Sequence, residues 1–236
     1  VGAVTAPDHL DLDRAIRPTL DILANEIVIA LKKRTRFCRN APVYAPGLVN
    51  GNPSISLLDH TLGAVEQVHA GLGRYTFATQ DAFTKVSHVT PVIKRDPPPS
   101  GLRDIVVPVG PRVQSFYLDW VSTVCPKGDS PHTYGETVTA DAAALMAILE
   151  RVNVGRSVAE SKYLELTAEF HACAGDREGM RNLLVRRDRE RVVIELATRL
   201  ADRYELPADA VVPVFEFMIS VTVDIELDYL QARIEV

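Results

Sequence analysis

Residues 208–236 read ADAVVPVFEFMISVTVDIELDYLQARIEV, and the class of the whole chain turns on how they fold. Phe215, Phe217, Ile219, Val221, Val223, Ile225 and Leu227 alternate with other residues, as the buried face of a strand would, and local propensity favours strand. Length opposes it: strands average about 5–6 residues, and no turn residue follows Pro213. At a period of 3.6, Phe215, Met218, Thr222, Ile225, Glu226 and Tyr229 fall on one side, so the segment is expected to be a single long helix.

Working outward, Leu20, Leu23, Ile27, Ala30 and Leu31 carry a helical period that ends near Phe37, with Pro18 in the first turn or at a kink. Leu58, Leu62, Val65, Val68 and Leu72 mark a second helix over 56–75. From Thr76 to Gly110 the period dissolves in a stretch holding Pro97, Pro98, Pro99 and Pro108, expected as a long surface loop. Loops this long within a domain are usually functional. Residues 96–101 read either as a connector or as a lid or partner-binding surface. Helical periods return at 113–124, 139–165, 166–174 and 178–204.

The 236 residues are 47% apolar, enough for a continuous core, and a net charge of −5, with basic runs as short as the charged face 186–191, argues against nucleic acid or anionic lipid as partner. No apolar stretch reaches the ~18 residues a membrane span needs. Because the chain opens on Val1 and not on Met, an N-terminal segment such as a signal peptide is expected to have been removed. Cys38, Cys125 and Cys173 are odd in number, so at least one thiol is unpaired within the monomer, and pairing of the other two is left open. His60 and His69 point to opposite sides of one helix, and Gly71-Leu72-Gly73-Arg74 ends a helix where a phosphate cradle must begin one. Neither a metal nor a cofactor is expected.

The anomaly is charge on apolar stripes. Arg17 lies on the apolar side of the first helix, and Arg151 shares a face with Ala144, Ile148, Val154, Val158 and Lys162. Eleven residues are three helical turns to within about 20°, so Arg151 and Lys162 are expected to point the same way, about 16 Å apart along one axis. Glu190 falls in line with Leu183, Val193, Ile194 and Ala197, and Thr222 and Glu226 lie one turn apart. Unpaired buried charge costs several kcal/mol, on the order of the stability of a small domain, so these groups either neutralise one another or await a charged ligand. A compact dianion suits them; a structural ion-pair network between helices is the other reading.

These residues, with Lys33-Arg34-Thr35-Arg36-Phe37, Ser56-Leu57-Leu58-Asp59, and Gly155-Arg156-Ser157-Val158-Ala159-Glu160-Ser161-Lys162, resemble the fungal chorismate mutases of the all-helical class. The resemblance runs through most of the chain and supports helix for 208–236. It implies an all-α, single-domain bundle over 1–236 and the rearrangement of chorismate to prephenate. It further implies that Arg17 and Arg151 hold the substrate carboxylates, Lys162 and a protonated Glu226 donate to the ether oxygen, Glu190 holds the ring hydroxyl, and Thr222 shapes the pocket. Where relatives carry a short Asn or Asp, this chain has Arg186, a less secure substrate contact.

Biosynthetic relatives are dimers with tyrosine and tryptophan effector sites built on adjacent arginines and a Gly-Ser turn. Here Gly73-Arg74 and Gly135-Glu136 stand there, near Thr139, which implies a degenerate site and weak or absent regulation. In this the chain is similar to the chorismate mutases that smut fungi secrete into host plants. Expected partners are therefore chorismate and prephenate, a second copy in a homodimer, and a host plant protein. A cytoplasmic enzyme is the other placement. The competing function is a helical interaction protein that keeps the fold, with catalysis incidental.

Overall fold

The computed structural model describes residues 8–76, 80–94, 96 and 101–235. The readings placed on Val1 and on Pro97, Pro98 and Pro99 lie outside them. The architecture is all-α. Helices α1 (Arg17–Arg34), α2 (Leu57–Gly71), α3 (Gly110–Val124), α4 (Tyr134–Asn153), α5 (Gly155–Glu165), α6 (Thr167–Ala172), α7 (Arg177–Leu184), α8 (Arg187–Arg203) and α9 (Ala208–Glu235) pack around one core. Among the described residues there is no strand, only an isolated bridge between Pro46 and Ser56.

The decisive C-terminal segment is α9, a single helix with Pro213 in its second turn. It is wrapped by α4, α5, α7, α8 and α3. A helix covered on several sides is apolar all round, so the alternation that imitates a strand reflects neighbours on every face. Val214, Phe215, Met218, Val221, Ile225, Leu227, Tyr229 and Leu230 are buried, while Phe217, on another side, stacks on Phe116 at 3.9 Å.

Several expected helices are bounded differently; α2 ends at Gly71 and not at Tyr75, and α3 starts at Gly110, three residues early. α1 stops at Arg34, short of Phe37, because the fully buried Arg34 guanidinium collects the carbonyls of Phe37, Cys38 and Arg39 and folds the chain back around itself. Its remaining donors reach Asp141 and Tyr44, and Asp141 also accepts from Tyr117 and Tyr44. The expected helix 139–165 starts earlier, at Tyr134, and breaks at Val154 into α4 and α5. Gly155 follows the break: a Cβ there would lie 2.9 Å from Thr222 Cγ2, so only glycine lets α5 lie this close on α9. The expected helix 178–204 is two. Asp176 caps α7, Val185 is extended, and Arg186 is the N-cap of α8.

The described part of the 76–110 loop is irregular, as expected, and tied down. Glu66 of α2 accepts from Phe83 N and Thr84 N at 2.7 and 2.8 Å, Asp81 accepts from Val109 N, Arg156 of α5 donates to Val107 O, and Tyr229 of α9 accepts from Arg103 N. All three cysteines are free thiols.

Candidate active site

Lys162 joins two groups of the charged residues found in the sequence. Its Nζ lies 3.0 Å from Glu226 Oε2 and 2.8 Å from the carbonyl of Leu184, the last residue of α7. Its stem lines a hollow of about 700 Å³ between the N-terminal turns, α5 and the start of α8, whose wall includes Arg17, Ser161, Leu183, Arg186 and Arg189. Arg17 is held by Asp13, one turn before it, and its guanidinium lies below its usual pKa, first through burial and then through the nearby charges of Arg189 and Arg186.

Behind Lys162 lies the buried group. Glu226 is 4% exposed, and burial raises its pKa while Lys162 pulls it down. Net upward displacement favours the neutral acid. With Oε2 accepting from Lys162, the other oxygen is free to carry the proton and donate it. Thr222, one turn earlier, has a buried hydroxyl with no hydrogen-bond partner.

Arg151, at the C-terminal end of α4, is 5% exposed. Among the described residues it makes no ion pair, its Nε has no partner, and its guanidinium lies 5.5 Å from the Phe215 ring. Burial lowers its pKa to about 10, opposed by the charge of Asp21, one turn beyond Arg17 on α1. A buried guanidinium without a carboxylate is expensive, and an incoming anion removes that expense.

The predicted residues therefore divide. Arg17, Lys162 and Arg186 share the hollow; Arg151 and Glu226 are buried inside the bundle, Thr222 is half-buried with its hydroxyl turned in, and none of the three is on the wall of the hollow. Glu190 is half-buried and lines a separate groove with Arg187, Ile219, Ser220 and Val223. Arg189 was not singled out in the sequence. Inside the run 186–191 it looks like part of a solvated face, and only the break between α7 and α8 turns it toward Arg17.

The effector-like positions also divide. Arg74 pairs with Glu150 at 3.6 Å near the end of α4, whereas Gly135, Glu136 and Thr139 are exposed in its first turns, about 20 Å away along the axis. A single chain does not bring them together.

Residues 133–227 match the family described as chorismate mutase type II. The chain is 28% identical to the chorismate mutase of Emericella nidulans over 98% of this chain and 97% of that one. It is 29% identical to cytosolic chorismate mutase 2 of Zea mays, covering 69% and 64%. In structure it is similar to the Candida albicans chorismate mutase solved in complex with L-Trp, with a TM-score of 0.88 and 25% identity over 96% of this chain and 92% of that one. The chloroplast chorismate mutase of Zea mays superposes equally well, at a TM-score of 0.88 over 99% of both chains and 24% identity.

Proposed function

We propose that the chain is a chorismate mutase of the eukaryotic type II, an isomerase that turns chorismate into prephenate, and that the rearrangement takes place around Lys162, between the Arg17 hollow and buried Arg151. The observation that carries this is Arg151: a buried cation without a counterion, in a chain whose substrate is a dicarboxylate.

The reaction is unimolecular. The ether C–O bond breaks as a C–C bond forms, with no proton, electron or group exchanged with the protein. Residues contribute by holding a compact conformer and by stabilising negative charge that grows on the ether oxygen. Arg17 and Arg151 each take one of the two carboxylates of the dianion, Arg17 by exchanging Asp13 for it. Lys162 and neutral Glu226 converge on the ether oxygen, and their mutual contact of 3.0 Å fixes both donors in advance. Thr222 supports Glu226 from one turn away. Glu190 reaches the ring hydroxyl only if α8 turns its first residues inward, and Arg186 is too long to reproduce the short amide or acid of relatives.

The enzyme on this reading is unregulated, since Gly73 and Glu136 replace groups that would recognise an amino acid effector. A chorismate-consuming enzyme without feedback suits export and diversion of another organism's chorismate, with homodimerisation and a host plant protein as the further partners. The test is direct: purified chain is incubated with chorismate, and prephenate is followed by NMR. Conversion is expected in the wild type and strongly reduced in Arg151→Ala; an inert wild type overturns the reading.

A further inference from the structure

Arg186, Arg187, Arg189 and Arg191 crowd the first turns of α8, and none makes an ion pair among the described residues. This is the end of a helix where positive charge is disfavoured, because the unpaired N–H groups already point outward there. Two of the four, Arg186 and Arg189, face the hollow that holds Arg17 and Lys162, while Arg187 and Arg191 line the separate groove beside Glu190. Of the acids on the same wall, Asp13 is paired with Arg17, while Asp11 accepts from the N–H groups of Asp13 and Arg14 through one oxygen and keeps its charge. Glu165 and Asp188 complete the acids there.

We propose that Arg186 and Arg189 form, with Arg17, a carboxylate-capturing rim that draws the dianionic substrate to the hollow and holds it at the mouth before it passes inward to Lys162. This rests on the function proposed above and adds two positioning residues to it. After burial, the largest cause, Arg189 and Arg186 each lower the pKa of Arg17 more than Asp11 raises it, so both guanidiniums act on this spot despite the nearby acids. Three guanidiniums around one opening also explain why a long Arg186 is tolerated where a short hydrogen-bonding residue would touch the ring: its charge acts at the mouth, not at the reacting atoms.

Charges on a rim govern encounter and salt dependence more than the chemical step. Chorismate turnover is measured for wild type, Arg186→Gln, Arg189→Gln and Arg187→Gln across low to high salt. The last removes the same charge from the same helix but from the other groove. At low salt the first two variants should lower kcat/KM by about tenfold with kcat changed less than about twofold, and high salt should erase most of the difference. Arg187→Gln should stay within about twofold of wild type throughout. Equal behaviour of Arg189→Gln and Arg187→Gln, or an equal fall in kcat and kcat/KM, overturns the rim. Equilibrium dialysis of prephenate against the same proteins needs no turnover. If wild type forms no prephenate yet binding ranks the variants in this order, the catalytic reading falls and the rim stands; if binding does not rank them so, the rim falls by itself.

Discussion

On the proposed function, the proton on Glu226 decides whether this side chain can donate to the ether oxygen, since only the neutral acid can, and burial keeps it neutral to higher pH than an ordinary glutamate. Activity should thus fall as pH rises through its titration, and Glu226→Gln, which donates at every pH, should flatten that alkaline limb while keeping substantial activity. Measuring kcat/KM of both proteins from mildly acidic to mildly alkaline buffer checks this; an unaltered limb would assign the titration elsewhere. The sign for stability follows. With the folded pKa above the unfolded one, the acid's contribution is fullest at low pH and declines as pH rises from the unfolded pKa through the folded one. Arg151→Ala and Lys162→Ala should each lose about 2–4 kcal/mol of transition-state stabilisation in kcat/KM, with an unchanged circular dichroism spectrum. Period singled out Arg151, Lys162 and Glu226, since each sits among apolar residues at helical spacing, but the common face expected for Arg151 and Lys162 assumed one helix where the chain breaks at Val154. The same test would have passed Asp141, three residues after buried Val138 and four before Leu145, yet its importance lies in Arg34, 107 residues away, and no local pattern records a partner at that distance.

Helices were legible and their breaks were not. Apolar residues at helical spacing lie on both sides of Val154 and of Val185, so periodicity alone does not mark either joint. What marks the first joint is Gly155, and its role appears only once α9 is in place. Gly155→Ala would press a methyl on Thr222, whose Cγ2 lies 2.9 Å from the added atom and whose carbonyl lies 3.4 Å away. We expect about 1–3 kcal/mol of destabilisation, read as a lower urea midpoint at unchanged slope. Because Lys162 rides on α5 and Glu226 on α9, kcat should fall by more than KM rises. A variant as stable and active as wild type would show that the two helices can part without cost. The second joint matters in the same way, since Arg186 and Arg189 face the hollow only because α8 begins anew after Val185.

For the whole molecule, the fold class and a resemblance to the chorismate mutases were readable from the chain, while the division of the charged residues between a hollow and a buried interior required the packed bundle. Regulation belongs to this scale, as the effector-like positions lie at opposite ends of α4. Initial rates against chorismate should be hyperbolic and unmoved by tyrosine or tryptophan; a sigmoidal curve straightened by tryptophan would refute it. The loop 76–110 has a different consequence. It is fastened on both sides of exposed Lys94, to Glu66 at Phe83 and Thr84, and to Arg156 and Tyr229 at Val107 and Arg103, while α1 and α2 pack on α4 from across the gap. The peptide bond after Lys94 is therefore dispensable to the assembled particle. Chain nicked there by limited trypsin should elute from a sizing column as one species, separate into two bands only in detergent, and retain its turnover, and the two pieces expressed as separate polypeptides should find each other and regain it.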